Sequence, residues 1–505
     1  MNFKGISNMN TNILPDILQS GDDNAIAISI PEKFEINYSK LKSLVNETSD
    51  QLKSFGTINE KPIVIVLGNN AEFIISFLSI TNTNAIAAPL NPGFTEEEFK
   101  FYLEDINPSL VITNENNKVI NEAKSKNIPT AIVNYNGTHL DITFSGSSSE
   151  NKDNNIPSQN NSCLFLHTSG TTSRPKGVPL KHKNLLKSLT NIVDTYNLNK
   201  KDTAMVVMPL FHVHGLIGVA LSTLASGGEI VIPEKFSASA FWDIQKQYNA
   251  TWYSAVPTIH QILLLRADQD NAPNKSFRII RSCSAALAPS VLRDLEARFG
   301  APVLEAYGMT EASHQMSSNP LPPEERKAGS VGKPTGVEIN IMSMEKLGEM
   351  LDIDQVGEIV IKGENVTNGY HNNDNANKEA YINGWFRTGD QGFIDNDGYL
   401  SLTGRIKELI NRGGEKISPL EVDSILINHP SVNEAVCFAF DDTKYGEVVH
   451  AALVVNSEVT EEEIKDFCSK SLANFKVPEK IHFADKLPRT ATGKIQRRNV
   501  AKFFN

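Results

Sequence analysis

The residues best suited to chemistry lie in a short loop rich in glycine, hydroxyl and cationic side chains. The loop runs from Thr168 to Gly177 and follows the apolar residues Cys163 to Leu166, which are typical of a buried strand. Freed backbone amides, Ser and Thr hydroxyls and a lysine charge together suit a polyphosphate. The loop is not of the Walker type, because Lys176 precedes Gly177 instead of following the second glycine. The pattern therefore predicts a phosphate site, with an ordinary polar turn as the alternative.

Other polar residues in the sequence have ordinary structural explanations when each is taken alone. Glu311 suits the first turn of a helix, where the helix dipole favours an acid. Asp390 follows a glycine and is typical of a turn, and Tyr307 at a strand end is typical of a core. Lys494, in a Thr-Ala-Thr-Gly-Lys segment, is typical of a solvated charge. Their chemistry depends on whether the fold brings them together.

The elements that must position these residues are those of an α/β protein. Pro62 to Leu67 and Ser109 to Thr113 are typical of buried parallel strands, and Ala71 to Ile80 has helical spacing. Strand-like segments recur at Ala204 to Val207, Glu229 to Ile232, Ala250 to Val256, Phe277 to Ser282 and Val303 to Tyr307. The alternation predicts a large body of stacked, mostly parallel sheets.

The second half of the chain changes character twice. From Glu358 onward, short strands and Asp-Gly turns predict a β-rich subdomain on the main body. After Arg405 a new α+β unit begins, with Ser418 predicted as the cap of its first helix. We therefore expect an N-terminal domain over residues 1–404, a hinge at 405–408 and a small C-terminal domain over 408–505.

Composition excludes several functional classes. The chain has 505 residues, and 48 Lys and Arg against 59 Asp and Glu give 48 − 59 = −11, which argues against coating nucleic acid or an anionic membrane. The most apolar stretch, Val206 to Ala225, contains two histidines and a proline, so it is expected to be buried rather than membrane-spanning. With no signal peptide and no C-terminal peroxisomal tripeptide, a cytoplasmic protein is expected. The oligomeric state stays open, a monomer included.

The glycine-rich loop is one of six motifs that point to one family. The run Thr168 to Gly177 resembles the phosphate loop of the adenylate-forming enzymes, which include acyl-CoA synthetases, luciferases and peptide-synthetase adenylation domains. The other hallmarks follow in the family's order: Tyr307-Gly308-Met309-Thr310-Glu311, Thr388-Gly389-Asp390, Gly404-Arg405-Ile406-Lys407-Glu408, Gly413-Gly414-Glu415-Lys416-Ile417 and Pro488-Arg489-Thr490-Ala491-Thr492-Gly493-Lys494. The resemblance covers nearly the whole chain, and it implies the adenylate-forming fold with a mobile C-terminal domain.

The resemblance implies a nucleotide site built from both parts of the chain. ATP, Mg²⁺ and CoA are the expected cofactors and substrates, with Glu311 as the metal ligand and Thr310 on the α-phosphate. Asp390 and Arg405 are expected on the ribose, and Glu305, Ala306 and Tyr307 on the adenine. The full ATP- and AMP-binding set is Thr168, Ser169, Gly170, Thr171, Thr172, Lys176, Glu305, Ala306, Tyr307, Thr310, Asp390, Arg405 and Lys494.

The resemblance also implies a moving lid. Lys494 is expected to join Thr310 and Glu311 as a catalytic residue, binding carboxylate and α-phosphate oxygens while the adenylate forms. The C-terminal domain would then turn about Lys407 and bring Gly413 and Gly414 inward to line the CoA channel. No carrier domain follows the last motif, so CoA is the expected acceptor.

The acid site is expected where three segments meet. His212 or His214, Ser284 and His314 could donate to the second carboxylate of a short diacid, whereas a fatty or aromatic acid needs an apolar cavity. The sequence segments 172–180, 281–289 and 309–320 resemble those of the oxalate-CoA ligase branch of the family. The hypothesis is therefore oxalate activation. The alternatives are a medium-chain fatty or aryl (coumarate-like) acid-CoA ligase and, more remotely, a catalytically silent nucleotide-binding relative.

Overall fold

The computed structural model describes residues 11–56, 60–146, 156–168, 175–275, 277–489 and 495–504. Five of the predicted site residues lie outside these ranges: Ser169, Gly170, Thr171, Thr172 and Lys494.

The described residues alternate between strands and helices through most of their length. The strands are β1 (Ile26–Ile30), β2 (Phe34–Asn37), β3 (Pro62–Val66), β4 (Ile86–Pro89), β5 (Leu110–Thr113), β6 (Thr130–Tyr135), β7 (Leu140–Ser145), β8 (Ser162–Thr168), β9 (Lys176–Lys181), β10 (Thr203–Met205), β11 (Glu229–Val231), β12 (Trp252–Ala255), β13 (Ile279–Cys283), β14 (Val303–Met309), β15 (His314–Ser318), β16 (Lys333–Pro334), β17 (Glu338–Met342), β18 (Gly357–Lys362), β19 (Tyr381–Ile382), β20 (Trp385–Ile394), β21 (Leu400–Arg405), β22 (Ile410–Arg412), β23 (Glu415–Ile417), β24 (Val432–Asp442), β25 (Gly446–Val455) and β26 (Lys480–Phe483). The helices are α1 (Tyr38–Phe55), α2 (Ala71–Thr81), α3 (Glu96–Ile106), α4 (Val119–Ser125), α5 (His182–Tyr196), α6 (Val213–Gly215), α7 (Ser222–Ala225), α8 (Ala238–Gln247), α9 (Pro257–Leu265), α10 (Pro289–Phe299), α11 (Asp374–Ala380), α12 (Pro419–Leu426), α13 (Glu461–Ser469) and α14 (Arg497–Phe503).

One sheet carries the predicted phosphate loop at its edge. Its strand order is β7-β6-β5-β3-β4-β8-β9, with parallel inner pairs and an antiparallel pair at each edge. β3 and β5 confirm two predicted strands, and their apolar residues are buried because helices cover a parallel sheet. The predicted helix is α2, which begins where the Asn70 side chain accepts a hydrogen bond from the Phe73 amide.

A second sheet positions the predicted acid and adenine segments. Its order is β16-β15-β14-β13-β12-β10-β11-β1-β2, and the pairs from β14 to β1 are parallel. The carboxyl ends of parallel strands meet at one edge of a sheet, where ligands bind in α/β folds. At this edge Ser284 follows β13, and Thr310 follows β14. The topology therefore brings a predicted acid-binding segment and a predicted nucleotide-binding segment side by side.

The β-rich subdomain is a five-stranded antiparallel sheet. Its order is β17-β18-β20-β19, with β21 paired to β20. In the register of β20 and β21, Asp390 lies directly opposite Arg405. Two motifs that are separate in sequence thus become neighbours on one hairpin.

The last part of the chain forms its own sheet and apolar cluster. The strand order is β23-β22-β25-β24, with β26 parallel to β25, and α12 and α13 pack against it. The predicted hinge residue, Lys407, lies in a short 3-10 turn, Ile406–Glu408, that joins β21 to β22. Ser418 takes the N-cap position of α12, but its hydroxyl donates to the carbonyl of Thr403 on β21 instead of capping the helix.

The apolar stretch from 206 to 225 is buried in the body, as expected. It contains α6 and α7, joined by a π-helical segment, Leu216–Leu221. Across the described ranges, no helix combines the length and apolar character that a membrane crossing requires.

Candidate active site

The phosphate-loop strands end beside a tyrosine that the sequence did not single out. Thr168 and Lys176 face each other at the ends of β8 and β9, where the predicted loop departs. The Lys176 ammonium lies 4.4 Å from the ring centroid of Tyr370, a cation–π contact that holds the charge at the mouth of the loop. The predicted roles of residues 169–172 lie outside the described residues and stay predictions.

Glu311 is a buried carboxylate next to the same tyrosine. It is 5% exposed, and its Oε1 accepts a hydrogen bond of 2.9 Å from the Tyr370 hydroxyl. Burial raises the pKa of Glu311, and the nearby charges of Arg405 and Lys176 oppose that rise only in part. A divalent cation would relieve the cost of keeping this carboxylate ionised.

The surroundings of Glu311 fit Mg²⁺ only if a substrate contributes ligands. Within the described residues, no group of three or more His, Cys, Asp or Glu is placed to hold a metal. Mg²⁺ is commonly held through one or two carboxylates together with phosphate oxygens and water. Glu311 would supply the carboxylate, and Thr310, which is 9% exposed and precedes it in the chain, lies at the same strand end.

Asp390 joins Arg405 and Tyr307 in one hydrogen-bonded group. Arg405 Nε donates to Asp390 Oδ1 over 2.8 Å, and the Tyr307 hydroxyl donates to Asp390 Oδ2. The neighbouring Asp390 carboxylate raises the pKa of Arg405, whose guanidinium is therefore permanently charged. Burial, with the Asp390 charge adding to it, raises the pKa of Tyr307. Three of the predicted nucleotide-binding residues thus share one location.

Glu305 and Ala306 lie on β14 directly before Tyr307. Both are 3% exposed, and Glu305 Oε1 accepts a 2.9 Å hydrogen bond from the Leu287 amide. Burial raises the pKa of Glu305 to about 8, so that this side chain is mainly neutral at pH 7. The structure places Glu305 as a brace on the segment that follows β13 and Ser284.

Three of the four candidate acid-binding side chains, His214, Ser284 and His314, form a cluster. His214 Nδ1 lies 3.0 Å from Ser284 Oγ, and the ring of His214 stacks on that of His314 with 5.4 Å between centroids. Ser284 and His314 have φ angles of 76° and 101°, which non-glycine residues rarely adopt. Such strain tends to occur at functional sites, where the surrounding structure holds it in place.

His212 and His214 occupy different environments. His214 is fully buried, and its Nε2 lies 2.6 Å from Ser254 Oγ, so both ring nitrogens face serine hydroxyls. His212 is half-buried and caps α6, with its Nδ1 accepting a 3.2 Å hydrogen bond from the His214 amide.

The structure adds residues that the sequence reasoning missed. Arg281 on β13 is fully buried and donates to Ser254 and His314, and Tyr196 on α5 accepts from it. A charged residue inside an apolar strand was the available signal, because arginine is rarely buried without a purpose. No sequence signal singled out Tyr370, which is 9% exposed.

Gly413 and Gly414 form the turn between β22 and β23. Their φ angles are 60° and 101°, which glycine adopts without steric cost. The turn lies in the last sheet, on the far side of Lys407 in sequence. The predicted CoA-channel role of these glycines stays a prediction.

Family models match both parts of the chain. A model described as AMP-binding enzyme matches residues 18–371, and one described as AMP-binding enzyme C-terminal domain matches residues 421–494. Among characterised relatives, the oxalate–CoA ligase of Arabidopsis thaliana is 49% identical over 95% of both chains. That of Saccharomyces cerevisiae is 44% identical over 95% of this chain and 94% of its own. The sulfoacetate–CoA ligase of Cupriavidus necator is 40% identical over 66% of this chain and 65% of its own.

Solved structures match the fold over almost the full length. ATP-bound MatB from Rhodopseudomonas palustris has a TM-score of 0.87 at 27% identity, covering 98% of this chain and 100% of that one. The apo form of MatB has a TM-score of 0.78 at the same identity, with 98% and 99% coverage. A Bacillus subtilis o-succinylbenzoate CoA synthetase in complex with ATP and magnesium ion has a TM-score of 0.83 at 28% identity, with 97% and 99% coverage.

These matches agree with the expected fold and with ATP, Mg²⁺ and CoA as the expected cofactors and substrates. The clustered Asp390, Arg405 and Tyr307 and the buried Glu311 lie within the length that these relatives cover. The chain belongs to the AMP-binding enzymes, as an adenylate-forming, ATP-dependent acid-CoA ligase.

Proposed function

We propose that this ligase activates oxalate, converting oxalate, ATP and CoA into oxalyl-CoA, AMP and diphosphate. The observation that carries the proposal is the cluster of polar side chains at the ends of β13 and β14, where His214, Ser284 and His314 meet. Buried hydrogen-bond donors favour a second carboxylate and disfavour an alkyl chain. The oxalate and sulfoacetate of the relatives' names are both small acids with two anionic groups.

In this proposal three donors bind the acid. His212 accepts at Nδ1 from a backbone amide, so its neutral ring carries the proton on Nε2 and can donate there. Ser284 is half-buried and can donate its hydroxyl proton while accepting from His214. His314 completes the set. His214 is then the residue that holds Ser284 in place, because both of its nitrogens already face serines.

The nucleotide is held by the residues gathered around Tyr307 and Tyr370. Asp390, fixed by Arg405 and Tyr307, accepts from the ribose hydroxyls, and Lys176 with the 168–172 segment holds the phosphates. Glu311 and Thr310 hold the metal and the α-phosphate. When bound, Mg²⁺ supplies charge neutralisation on the phosphate oxygens. Glu305, Ala306 and Tyr307 form the adenine wall along β14.

The reaction has two displacements. In the first, a carboxylate oxygen of the acid bonds to the α-phosphorus of ATP, and the bond from that phosphorus to the diphosphate breaks. In the second, the CoA sulfur bonds to the acyl carbon, the carbon–oxygen bond to AMP breaks, and the thiol loses its proton. The protein positions the anions and offsets their charge, since little covalent chemistry falls to its side chains.

The arrangement of the two parts fits the first displacement. Arg489, five residues before Lys494, donates from Nη1 to Thr258 Oγ1 over 2.8 Å, and Thr258 lies in α9 directly after β12. The chain also superposes better on the ATP-bound form of MatB than on its apo form. We therefore assign this arrangement to adenylate formation. In the proposal Lys494, which lies outside the described residues, acts at the carboxyl–phosphate junction in this step. Rotation about Lys407 would then bring Gly413 and Gly414 to the thiol.

An acid panel tests the substrate assignment. Purified protein is incubated with ATP, Mg²⁺, CoA and either oxalate, hexanoate or coumarate, and AMP release is followed. Oxalate is expected to give AMP at a rate far above the other two acids, because only oxalate offers a second anion to the donors. AMP release with hexanoate or coumarate but not with oxalate would contradict the proposal and favour the fatty or aryl alternative. ATP binding without turnover on any acid would favour a catalytically silent relative.

A further inference from the structure

A fully buried arginine lies behind the histidine and serine cluster. Arg281, in the middle of β13, is 0% exposed. Its guanidinium donates from Nε to the Tyr196 hydroxyl over 2.7 Å, from Nη1 to Ser254 Oγ over 3.1 Å, and from Nη2 to His314 Nε2 over 2.9 Å and Gln315 Oε1 over 3.1 Å. The guanidinium is thus fixed on several sides by neutral acceptors.

Among the described residues, the partners of Arg281 are neutral groups and not carboxylates. In the part of the chain that the structure describes, no carboxylate forms an ion pair with Arg281, whereas Arg278 three residues earlier pairs with Asp202 over 2.9 Å. Burying an unpaired charge is costly, so a fold that retains one gains when an anion arrives. The low-dielectric surroundings extend the field of Arg281 to the adjoining imidazoles.

Arg281 also fixes where the proton of His314 lies. Arginine only donates hydrogen bonds, so His314 Nε2 must accept the 2.9 Å bond from Nη2. The single proton of the neutral His314 ring is therefore on Nδ1. Gly218 leaves the room that this ring needs, because a Cβ at position 218 would lie 2.3 Å from His314 Nε2.

The same assignment of donors and acceptors extends from Arg281 through Ser254 and His214 to Ser284. Ser254 Oγ accepts from Arg281 Nη1, so its own proton is satisfied by donating to His214 Nε2 over 2.6 Å. His214 then carries its proton on Nδ1 and donates it to Ser284 Oγ over 3.0 Å. The Ser284 hydroxyl proton is left to point at the acid. In this series of hydrogen bonds, each donor lies on the side of the Arg281 guanidinium and each acceptor lies farther from it.

We infer that Arg281 is the positioning residue of the acid site: it orders Ser254, His214, Ser284 and His314 into an array of outward donors, and its unpaired buried charge selects acids with two negative charges. This inference rests on the proposed function, because it explains how the acid site prefers a dianion. In this inference Arg281 acts through the residues that it orders.

The test compares variants along the chain of hydrogen bonds. Ser254→Ala removes the hydrogen bond to His214 but keeps the charge of Arg281. We expect the kcat/KM for oxalate to fall about tenfold with the KM for ATP unchanged. Arg281→Met removes both the hydrogen bonds of the guanidinium and its charge. We expect the kcat/KM for oxalate to fall at least about a hundredfold. Arg281→Met should also lower the preference for oxalate over glyoxylate, which has two carbons but one charge. Arg281→Lys, which keeps the charge, should retain that preference better than Arg281→Met.

Two further measurements keep the test independent of folding and of the substrate. Ser49→Ala removes another fully buried serine hydroxyl, which bonds to Val45 and Ser79 in and beside α1, and it should leave both kinetic constants unchanged. ¹⁵N spectra of histidine-labelled protein, assigned with His214→Gln and His314→Gln, should show the Nδ1–H form at both rings. In Ser254→Ala, His214 alone should lose that form.

The outcomes separate this inference from the proposed function. If the wild-type protein activates oxalate but Arg281→Met keeps its preference over glyoxylate, or the rings carry their protons on Nε2, the positioning role of Arg281 is overturned. If the wild-type protein does not activate oxalate, the proposed function fails, while the histidine spectra still decide whether Arg281 orders the donors.

Discussion

Asp390 shows how single residues from distant motifs come to act together. Its two carboxylate oxygens accept from Arg405, fifteen positions later on the paired strand, and from Tyr307 on a different sheet. Both donors hold the carboxylate in one orientation, and its remaining lone pairs could accept from the ribose hydroxyls that we propose it binds. An isolated Asp in a turn would lack that orientation.

Asp390→Asn therefore should weaken ATP binding selectively. Loss of the charge removes the partner of Arg405 and one of the acceptors that we propose for the ribose, so we expect the KM for ATP to rise at least about tenfold. The KM for the acid should change little. The matched control is Asp395→Asn, which removes a carboxylate on the same hairpin that pairs with Lys327 over 2.7 Å instead. Equal effects of both variants on the KM for ATP would argue against a ribose role for Asp390.

Glu305 makes the stability of the protein depend on pH. Its pKa is raised to about 8 in the folded protein by burial, against 4.5 for an exposed glutamate. The folded state therefore binds more protons than the unfolded state between these values. The contribution of Glu305 to the free energy of unfolding is complete below about pH 4.5 and is lost as the pH rises through about 8.

Glu305→Gln should remove that part of the pH dependence. The introduced amide would be neutral at every pH, so the free energy of unfolding of the variant should fall less between pH 6 and pH 8.5 than that of the wild type. Urea unfolding at several pH values measures the difference. Parallel curves for the two proteins would show that Glu305 is already ionised in the folded state.

Sequence reasoning located the residues that motifs mark and missed those that only packing defines. The positions of Asp390, Arg405 and Tyr307 could be predicted because their motifs carry them. Tyr370 and Ser254 have ordinary sequence surroundings, and their importance comes from the side chains that they bond to in the fold. Arg281 left a signal, a charge inside an apolar strand, whose partners only the structure supplies.

At the level of elements, the segment around Lys407 is anchored on both sides. On one side, β21 ends at Arg405, which is bonded to Asp390. On the other, Glu408 accepts from Arg497 Nε over 3.2 Å, and Arg497 also donates to Asp423 Oδ2 over 2.7 Å. Between the two anchors lie Ile406 and Lys407. This placement supports Lys407 as the proposed hinge, because a rotation is expected in the residues between two anchored segments.

Arg497→Met should destabilise the last sheet strongly. The change would leave the half-buried carboxylates of Asp423 and Glu408 without their cation, and we expect a loss of about 3 kcal/mol in the free energy of unfolding of this part. Arg497→Met with Asp423→Asn should be less unstable than Arg497→Met alone, because the orphaned carboxylate is gone. Urea unfolding, monitored by the proteolysis of this part, measures the loss in both variants.

The control for Arg497 is a surface ion pair. Lys200 lies 2.6 Å from Asp22, and both side chains are more than half exposed, so Lys200→Met should cost at most about 1 kcal/mol. If Arg497→Met costs no more than Lys200→Met, the contact between Arg497 and Glu408 does not anchor the segment that we propose as the hinge.

The elements themselves could be predicted well, because apolar runs and capping residues act locally. α2, β3, β5, β10 and β14 lie within a few residues of the predicted segments. The exception is instructive: Ser418 has the sequence of a helix cap, yet its hydroxyl bonds to Thr403 across the junction with β21. The Thr403 carbonyl, a tertiary acceptor, competes with the helix amides that the Ser418 hydroxyl would otherwise cap, and a linear pattern contains no information about that competition.

For the whole molecule, the relative placement of the two parts could not be predicted. Polar contacts between side chains far apart in sequence contribute to it, such as Arg489 with Thr258 and Ser290 with Asn428. Contacts of this kind are typical of interfaces that open and close. The order of motifs required both parts to serve one site, but it did not determine which surfaces meet.

The most direct test of the account follows the oxygen atoms of the acid. The protein is incubated with ¹⁸O-labelled oxalate, unlabelled ATP, Mg²⁺ and CoA, and the products are analysed by mass spectrometry. If the acid attacks the α-phosphorus and the thiol later displaces AMP, one ¹⁸O atom must appear in each AMP and none in diphosphate. Formation of oxalyl-CoA with unlabelled AMP, or of ¹⁸O-labelled inorganic phosphate, would contradict the account.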